Sequence, residues 1–296
     1  MVQQVGVAPS GVLTSQVCTY ESICSPRLRH WSDRLRPMWD PDGTEMGTVL
    51  VHRTMWEWLF ICESLRQAGM LQEGRRGLGI GGPEPLASLF AGLGCTLVVA
   101  DSGSQPPGDA SSFETGDEPT VRPPGAVDQR FCPAELLHER VQYREIDLGA
   151  EPDDLHDFDF TWSSHVVDHL GSLAAGMDFV AAQMHRLKPG GLAVHATELN
   201  LSSDTDTVAE GASVLFRRRD VEDLVRRLRA DGHRIAYDLS EGNWPADRRV
   251  DVAPGTDTHL RTREGGYETT SLVLVIRKGG GKRTWSRATR LRTRHR

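Results

Sequence analysis

The 296-residue sequence lacks several features that mark whole classes of protein. Its five cysteines contain no C-x-x-C pair, so we expect neither a disulfide framework nor a cysteine zinc site, and a reducing compartment fits. No apolar run approaches the roughly 18–20 residues that a membrane-spanning helix needs. The beginning of the sequence has no basic segment followed by a sustained apolar one, so no secretory signal is expected. These absences together predict a cytoplasmic globular protein without a membrane partner.

Positive charge is also scarce over most of the chain. The formal net charge is −7, yet residues 277–296 carry nine Lys or Arg and no acid, which leaves residues 1–276 at −16. An acidic body disfavours nucleic acid as the main partner, because phosphate binding is driven by basic surface. Residues 279–296 are expected to be a disordered basic tail, with weak, salt-sensitive contacts to RNA or anionic lipid as the alternative.

Apolar spacing separates a helical N-terminal part from an alternating part. Residues 1–30 are weakly patterned and predict a loose arm, whereas residues 46–70 repeat apolar side chains every three or four positions and predict a helix. Strands are predicted near residues 78, 97, 143, 160, 194, 236 and 273, with helices between most of them. Residues 102–130 are rich in Pro, Gly, Ser and acid and predict a long surface loop that is either flexible or acts as a lid.

This alternation predicts an α/β fold with a doubly wound, Rossmann-like sheet. No helix separates the last two strands, so the sheet is expected to be mostly parallel with an antiparallel last strand. The expected organisation is an N-terminal arm and helical cap over residues 1–73, a ligand-binding domain over 74–278 and the tail over 279–296.

Three predicted strand ends carry residues that suit a nucleoside. Gly79, Gly81 and Gly82 form a turn that lets a ligand approach the backbone closely. Asp101 ends the next strand about twenty residues later, where an acid can accept hydrogen bonds from both ribose hydroxyls. Asp147 follows the third strand, where it can accept a hydrogen bond from the amino group of adenine. Since ligands of such sheets bind beyond the carboxyl ends of the strands, this register predicts a nucleoside site.

With these residues in place, the sequence resembles the class I S-adenosylmethionine-dependent methyltransferases over about residues 74–277. The most specific segments are LGIGG at 78–82, FDFTWSS at 158–164 with the following Asp168-His169 pair, and LKPGGL at 187–192. The last two are similar to the family's acid–histidine motif and to its turn before the fifth strand. The resemblance implies S-adenosylmethionine as the cofactor and a methyltransferase domain over residues 74–278.

The resemblance also implies roles for single residues. The three glycines of the turn would cradle the methionine part, and Asp101 would hold the ribose. Asp147 and Leu148 would frame the adenine. Ser163 would lie near the methyl donor.

One position departs from the family's pattern. The family usually carries an acid two residues before Gly81, where this sequence has Gly79. The methionine amino group then needs another partner; Glu84 is the nearest candidate, although an acid at a helix start is often only a cap. The departure keeps open a protein that is catalytically inactive, or that binds S-adenosylmethionine without transferring its methyl group. A nicotinamide dinucleotide enzyme fits less well, because it would need a full G-x-G-x-x-G.

Methyl transfer to a hydroxyl or an ammonium also needs a proton acceptor. The candidates follow the strands predicted near residues 160 and 194 and are His165, Asp168, His169, Glu198 and Asn200, with the two histidines favoured. The four-residue spacing of the histidines would place both on one helix face, with ordinary packing of His169 as the alternative. Residues 165–169 also imitate the metal-binding pattern H-x-x-E-H. Their acid is one carbon shorter and no further ligand is evident, so no metal is expected.

Further residues are candidates for contact with the acceptor. Because the family often places an added N-terminal element over the pocket, the resemblance points to Trp39, His52 and Trp58, with core packing as the alternative for the tryptophans. Two further candidates are Asn200, at a predicted strand end, and Tyr267, in a glycine turn before the last strand. The resulting hypothesis is methyl transfer to an O or N atom of a small-molecule acceptor in a biosynthetic pathway. An RNA methyltransferase aided by the basic tail is the alternative, and the oligomeric state is not predicted.

Overall fold

In the computed structural model of the chain, the described residues are 14–40, 42, 50–81, 85–101, 129–148, 152, 154–251 and 260–280. They form eleven strands: β1 (Ser15–Val17), β2 (Arg76–Ile80), β3 (Thr96–Asp101), β4 (Val141–Glu145), β5 (Phe158–Ser163), β6 (Leu187–Asn200), β7 (Arg234–Ile235), β8 (Tyr237–Asp238), β9 (Val250–Asp251), β10 (Arg261–Glu264) and β11 (Tyr267–Arg277). The helices of these residues are α1 (Tyr20–Ile23), α2 (Pro26–Leu35), α3 (Arg53–Gln67), α4 (Pro85–Gly92), α5 (Ala134–Arg140), α6 (Leu173–Arg186) and α7 (Arg218–Ala230).

The strands form one sheet in the order β4-β3-β2-β5-β6-β11-β1-β8. Every pair from β4 to β6 is parallel, and β11 pairs antiparallel with β6 over nine residue pairs. The chain reverses direction along the sheet between β2 and β5, as in a doubly wound fold. The predicted fold class is therefore confirmed, including the antiparallel last strand.

Strands β2 and β5 fit together because glycine on one faces an aromatic residue on the other. Gly77 pairs with Phe160, and Gly79 pairs with Trp162. A Cβ atom on either glycine would come within 2.4 Å of the opposite ring. The glycines of β2 are thus needed for close packing inside the sheet.

The N-terminal residues differ from the expected loose arm. Residues 15–17 form β1, which pairs antiparallel with β11 and parallel with β8, and α1 and α2 follow. A three-residue strand is too short to show a hydrophobic period, and its partners lie at the far end of the chain. Local sequence therefore carries little signal for it.

Helix α3 is the expected N-terminal helix, although it begins at Arg53 rather than near residue 46. All of its residues from Thr54 to Leu65 are buried, which is typical of a helix enclosed on every side. It packs on β6 and β11, while α6 and α7 contribute to the core on the other side of the sheet. Among the described residues, no helix is both long enough and apolar enough to cross a membrane.

Candidate functional site

The carboxyl ends of four parallel strands meet at one edge of the sheet. Ile80 at the end of β2 pairs with Ala100 of β3 and with Ser163 of β5, so Gly81 and Asp101 lie on adjoining strand ends. The structure thus brings together the glycine turn and the acid that the sequence assigns to a nucleoside. Ligands of doubly wound sheets bind at this edge, where the strand order reverses.

The adenine candidates lie beside this edge. The amide of Ile146 donates a hydrogen bond to the carbonyl of Asp101 (2.8 Å), which joins the segment after β4 to the end of β3. Asp147 is exposed, and Leu148 is half-buried against the core. Gly82, Glu84 and residues 102–128, which carry most of the predicted loop, lie outside the described residues.

The glycine turn is only partly available to a ligand. The space over Gly79 is filled by the Trp162 ring, so this face of the glycine is packed inside the protein and is not open to a ligand. Gly81 has a φ of 113°, a conformation that favours glycine, and its amide donates to the carbonyl of Ala100 (3.0 Å). Of the two glycines, Gly81 is the one that turns the chain at the strand end.

Ser163 also differs from expectation. Its side chain is fully buried and shares a 2.8 Å hydrogen bond with Nδ1 of His195 on β6. Burial lowers the pKa of His195 to about 3, so this imidazole is neutral. The Ser163 hydroxyl is therefore engaged in a hydrogen bond inside the sheet.

The two predicted histidines do come together, but not on an α-helix. His165 has a φ of 55°, and a short 3₁₀ turn follows over Val167–His169. Ligand atoms of His165, Asp168 and His169 all lie within 4.8 Å of one another. The tight turn, rather than a shared helix face, produces this proximity.

Glu57 of α3 is one of two residues of this cluster that the sequence analysis missed. Its side chain is 2% exposed and accepts hydrogen bonds from the hydroxyls of Ser164 (2.7 Å) and Ser271 (2.5 Å). Its Oε2 lies 3.6 Å from Nε2 of His165. The available signal was a single acid inside the otherwise apolar run from Met55 to Ile61.

A buried ion pair completes the cluster. Arg53 on the first turn of α3 lies 2.5 Å from the carboxylate of Glu198 on β6. Burial disfavours the charged guanidinium, but Glu198 and Glu57 outweigh burial and raise the pKa of Arg53. Glu198 is 3% exposed, so its carboxylate lies in the protein interior.

The negative charge around these groups shifts the pKa values of two side chains in the turn after β5. The carboxylate of Glu57 is the main cause that raises the pKa of His165. Burial raises the pKa of Asp168 to about 6, and the nearby Glu198 adds to this shift. This part of the site therefore favours bound positive charge.

The candidates for acceptor contact are less well placed. His52 caps α3, since its Nδ1 accepts from the amide of Thr54 (3.2 Å). Asn200 is buried, with 5% exposure, and both ends of its side-chain amide form hydrogen bonds within residues 202–207. Trp58 is buried in the core, whereas Trp39 and Tyr267 are half-buried. Of these five, the last two leave the most surface for a ligand.

No protein-family model matches the sequence, and no curated protein matches it. Solved structures are similar to it at low identity. One is a branched-chain polyamine synthase mutein from Thermus thermophilus, with 16% identity, a TM-score of 0.41, and coverage of 78% of this chain and 59% of that one. Another is the [4+2]-cyclase SpnF, with 12% identity, a TM-score of 0.44, and coverage of 92% and 100%.

A third similar structure is an S-adenosylmethionine-dependent methyltransferase from Mesorhizobium loti. It has 13% identity and a TM-score of 0.42, and the match covers 75% of this chain and 98% of that one. The fold assignment itself follows from the strand order and the reversed last strand of this chain.

Proposed function

We propose that this protein is an S-adenosylmethionine-dependent methyltransferase that acts on an O or N atom of a small-molecule acceptor. The observation that carries the proposal is the juxtaposition at one sheet edge of the Gly81 turn, the Asp101 carboxylate and the imidazole–carboxylate cluster after β5. The acidic body of the chain supports a small acceptor over a nucleic acid.

The cofactor side of the pocket fits a nucleoside better than it fits the methionine part. Asp101 would bind the ribose hydroxyls, while Asp147 and Leu148 would frame the adenine. Gly81 turns the chain at the end of β2, whereas Trp162 fills the space over Gly79. Glu84 stays the proposed partner of the methionine amino group. Bound S-adenosylmethionine supplies an activated sulfonium methyl group.

The acceptor side needs a group that can take a proton. Glu198 is already ion-paired with Arg53, so the imidazoles of His165 and His169 are the better candidates. Their side chains are 35% and 25% exposed, so a bound acceptor can reach them. Enclosure by Glu57 and the rest of α3 would keep water away from the reacting atoms.

Titration calorimetry with S-adenosylmethionine and S-adenosylhomocysteine, and with NAD as the control ligand, tests the proposal. We expect micromolar binding of the first two and none of NAD. The variant Asp101→Ala should weaken binding at least tenfold, since it loses charge-assisted hydrogen bonds worth ~1.5–3 kcal/mol. Asp178→Ala, an exposed acid on α6, is the matched control and should bind normally. Unchanged affinity in Asp101→Ala would remove the pocket assignment.

A further inference from the structure

We propose that His165, Asp168 and His169 form a binding site for one divalent transition-metal ion. Their ligand atoms all lie within 4.8 Å of one another, and Nε2 of His169 is 3.3 Å from Oδ2 of Asp168. A metal with bonds of about 2.0–2.2 Å holds tetrahedral ligands about 3.3–3.6 Å apart. Small side-chain movements would therefore bring all three groups onto one ion.

Asp168 provides a second, independent observation. The residue is 2% exposed, and its Oδ1 has no hydrogen-bond partner among the described residues. An unsatisfied carboxylate oxygen at this depth costs free energy, because burial removes its water without replacing it. A cation bound between Asp168 and the two imidazoles would supply the missing partner.

The hydrogen bonding of His169 prepares this side chain for a metal. Its Nδ1 lies 2.8 Å from the carbonyl of Ala212, and a carbonyl only accepts, so Nδ1 carries the hydrogen and donates it. In the neutral ring, the lone pair is then on Nε2, the atom that faces Asp168. Metal-binding histidines are commonly oriented by such a bond from their other nitrogen.

The backbone of His165 is held in an uncommon conformation. His165 and Asp157 are the two non-glycine residues of the described chain with a positive φ. Such a conformation costs about 1–3 kcal/mol and persists where the surroundings require it. Here the imidazole lies beside Glu57, and its Nε2 has no hydrogen-bond partner among the described residues.

The charge balance also favours a cation. Three buried carboxylates, those of Glu57, Glu198 and Asp168, act on one guanidinium, that of Arg53. A divalent ion bound between Asp168 and the two imidazoles would balance this charge.

The donor set selects among metals. Two imidazole nitrogens and one carboxylate oxygen suit Zn²⁺, Co²⁺ and their neighbours, whereas Mg²⁺ and Ca²⁺ prefer oxygen ligands alone. Three protein ligands leave a fourth position open, as in metal sites that bind a substrate or water. Glu57 would be an outer partner, since both of its oxygens already accept hydrogen bonds from serines.

This site goes beyond the proposed methyl transfer and does not depend on it. A metal would use the imidazole lone pairs that otherwise accept a proton. The metal-free and metal-bound forms are therefore alternative states of the same cluster.

Equilibrium dialysis against Zn²⁺ and visible spectroscopy with Co²⁺ test the proposal. The sample is the full chain without a polyhistidine tag, freed of metal by treatment with a chelator. It should bind one equivalent of Zn²⁺. With Co²⁺ it should give a visible spectrum typical of nitrogen and oxygen ligands. Mg²⁺ should not compete. Asp168→Asn and His169→Gln should each weaken Zn²⁺ binding at least tenfold, and both keep side chains that can be accommodated in the same space.

The matched control is the exposed pair of His156 and Asp157, whose side chains lie 2.8 Å apart on the surface. His156→Gln should leave Zn²⁺ binding unchanged. Thermal melts of all variants establish that they are folded, and Zn²⁺ should raise the melting temperature of the wild type more than that of Asp168→Asn.

Equal Zn²⁺ affinity in the wild type and in the folded Asp168→Asn and His169→Gln variants would overturn the metal site. Calorimetry with S-adenosylmethionine on the metal-free protein separates the two proposals. Cofactor binding without Zn²⁺ binding would remove only the metal site, and Zn²⁺ binding without cofactor binding would remove only the methyltransferase.

Discussion

At the residue scale, the packing of the Trp162 ring over Gly79 accounts for a glycine at the position where the family that the sequence resembles usually carries an acid. An acid at position 79 would need the volume that the indole ring occupies. The large aromatic on β5 and the missing side chain on β2 are therefore two parts of one packing arrangement. If S-adenosylmethionine binds as proposed, its methionine part would contact groups other than a side chain at position 79.

We predict that Gly79→Ala lowers the free energy of unfolding by about 1–3 kcal/mol, because its Cβ meets the Trp162 ring at 2.4 Å. In a Trp162→Phe background, the same substitution should cost less, since Phe lacks the six-membered ring of the indole in that position. Urea denaturation of the four proteins measures the coupling. Gly280→Ala, with no atom within 4 Å of its Cβ, is the control. Equal costs in both backgrounds would contradict the account.

At the scale of elements, α3 is held to the sheet by buried polar contacts as well as by apolar packing. Glu57 binds serines that follow β5 and lie on β11, and Arg53 binds Glu198 on β6. Buried charges are tolerated only where they are paired, so these contacts fix the position of the helix along the strands. The helix thereby closes one side of the candidate site.

Arg53→Met should lower the free energy of unfolding by about 3–5 kcal/mol, because Glu198 would then be buried without its partner. The double variant Arg53→Met with Glu198→Met should recover most of that loss. Chemical denaturation provides the measurement. Arg226→Met, which removes an exposed pair with Asp223 on α7, should change stability by no more than about 0.5 kcal/mol. A double variant as unstable as the single one would argue against the pairing.

The contacts between β2, β5 and β6 predict a dependence of stability on pH. Burial acts to raise the pKa of Asp159, but hydrogen bonds from Lys188, the Arg76 amide and Arg75 outweigh it and lower the pKa. A carboxyl whose folded pKa lies below its unfolded value stabilises the protein above the unfolded pKa. That stabilisation is lost as the pH falls through the lowered folded value.

The stability difference between the wild type and Asp159→Asn should therefore be constant from pH 7 to about pH 5 and should shrink below about pH 4. Denaturation curves at several pH values measure this difference. Asp178→Asn, at an exposed position on α6, should show a much smaller change over the same range. A difference that grows on acidification would have the wrong sign for this assignment.

At the scale of the whole molecule, the uneven distribution of charge distinguishes a small-molecule acceptor from an RNA acceptor. Residues 1–276 are acidic, and the nine basic residues come at 277–296. A small-molecule enzyme needs only the first part, whereas an RNA methyltransferase would use the basic end.

Removal of residues 281–296 should leave S-adenosylmethionine affinity unchanged. If RNA were the acceptor, the full chain would bind RNA with a steep salt dependence, and the truncated chain would lose that binding. Fluorescence anisotropy with a labelled RNA at several salt concentrations measures the RNA affinity of the full and the truncated chain and its salt dependence. Strong binding to the full chain would favour the RNA alternative over the small-molecule acceptor.

The sequence by itself determined the α/β alternation, the strand-end positions of Gly81 and Asp101 and the reversed last strand. These depend on hydrophobic period and on turn residues, which act locally. It could not show that Trp162 fills the space over Gly79, or that Glu57 and Arg53 join the cluster after β5. Only the tertiary structure decided these contacts, because they join residues far apart in the chain through packing and burial. A pattern read along one segment does not report such contacts.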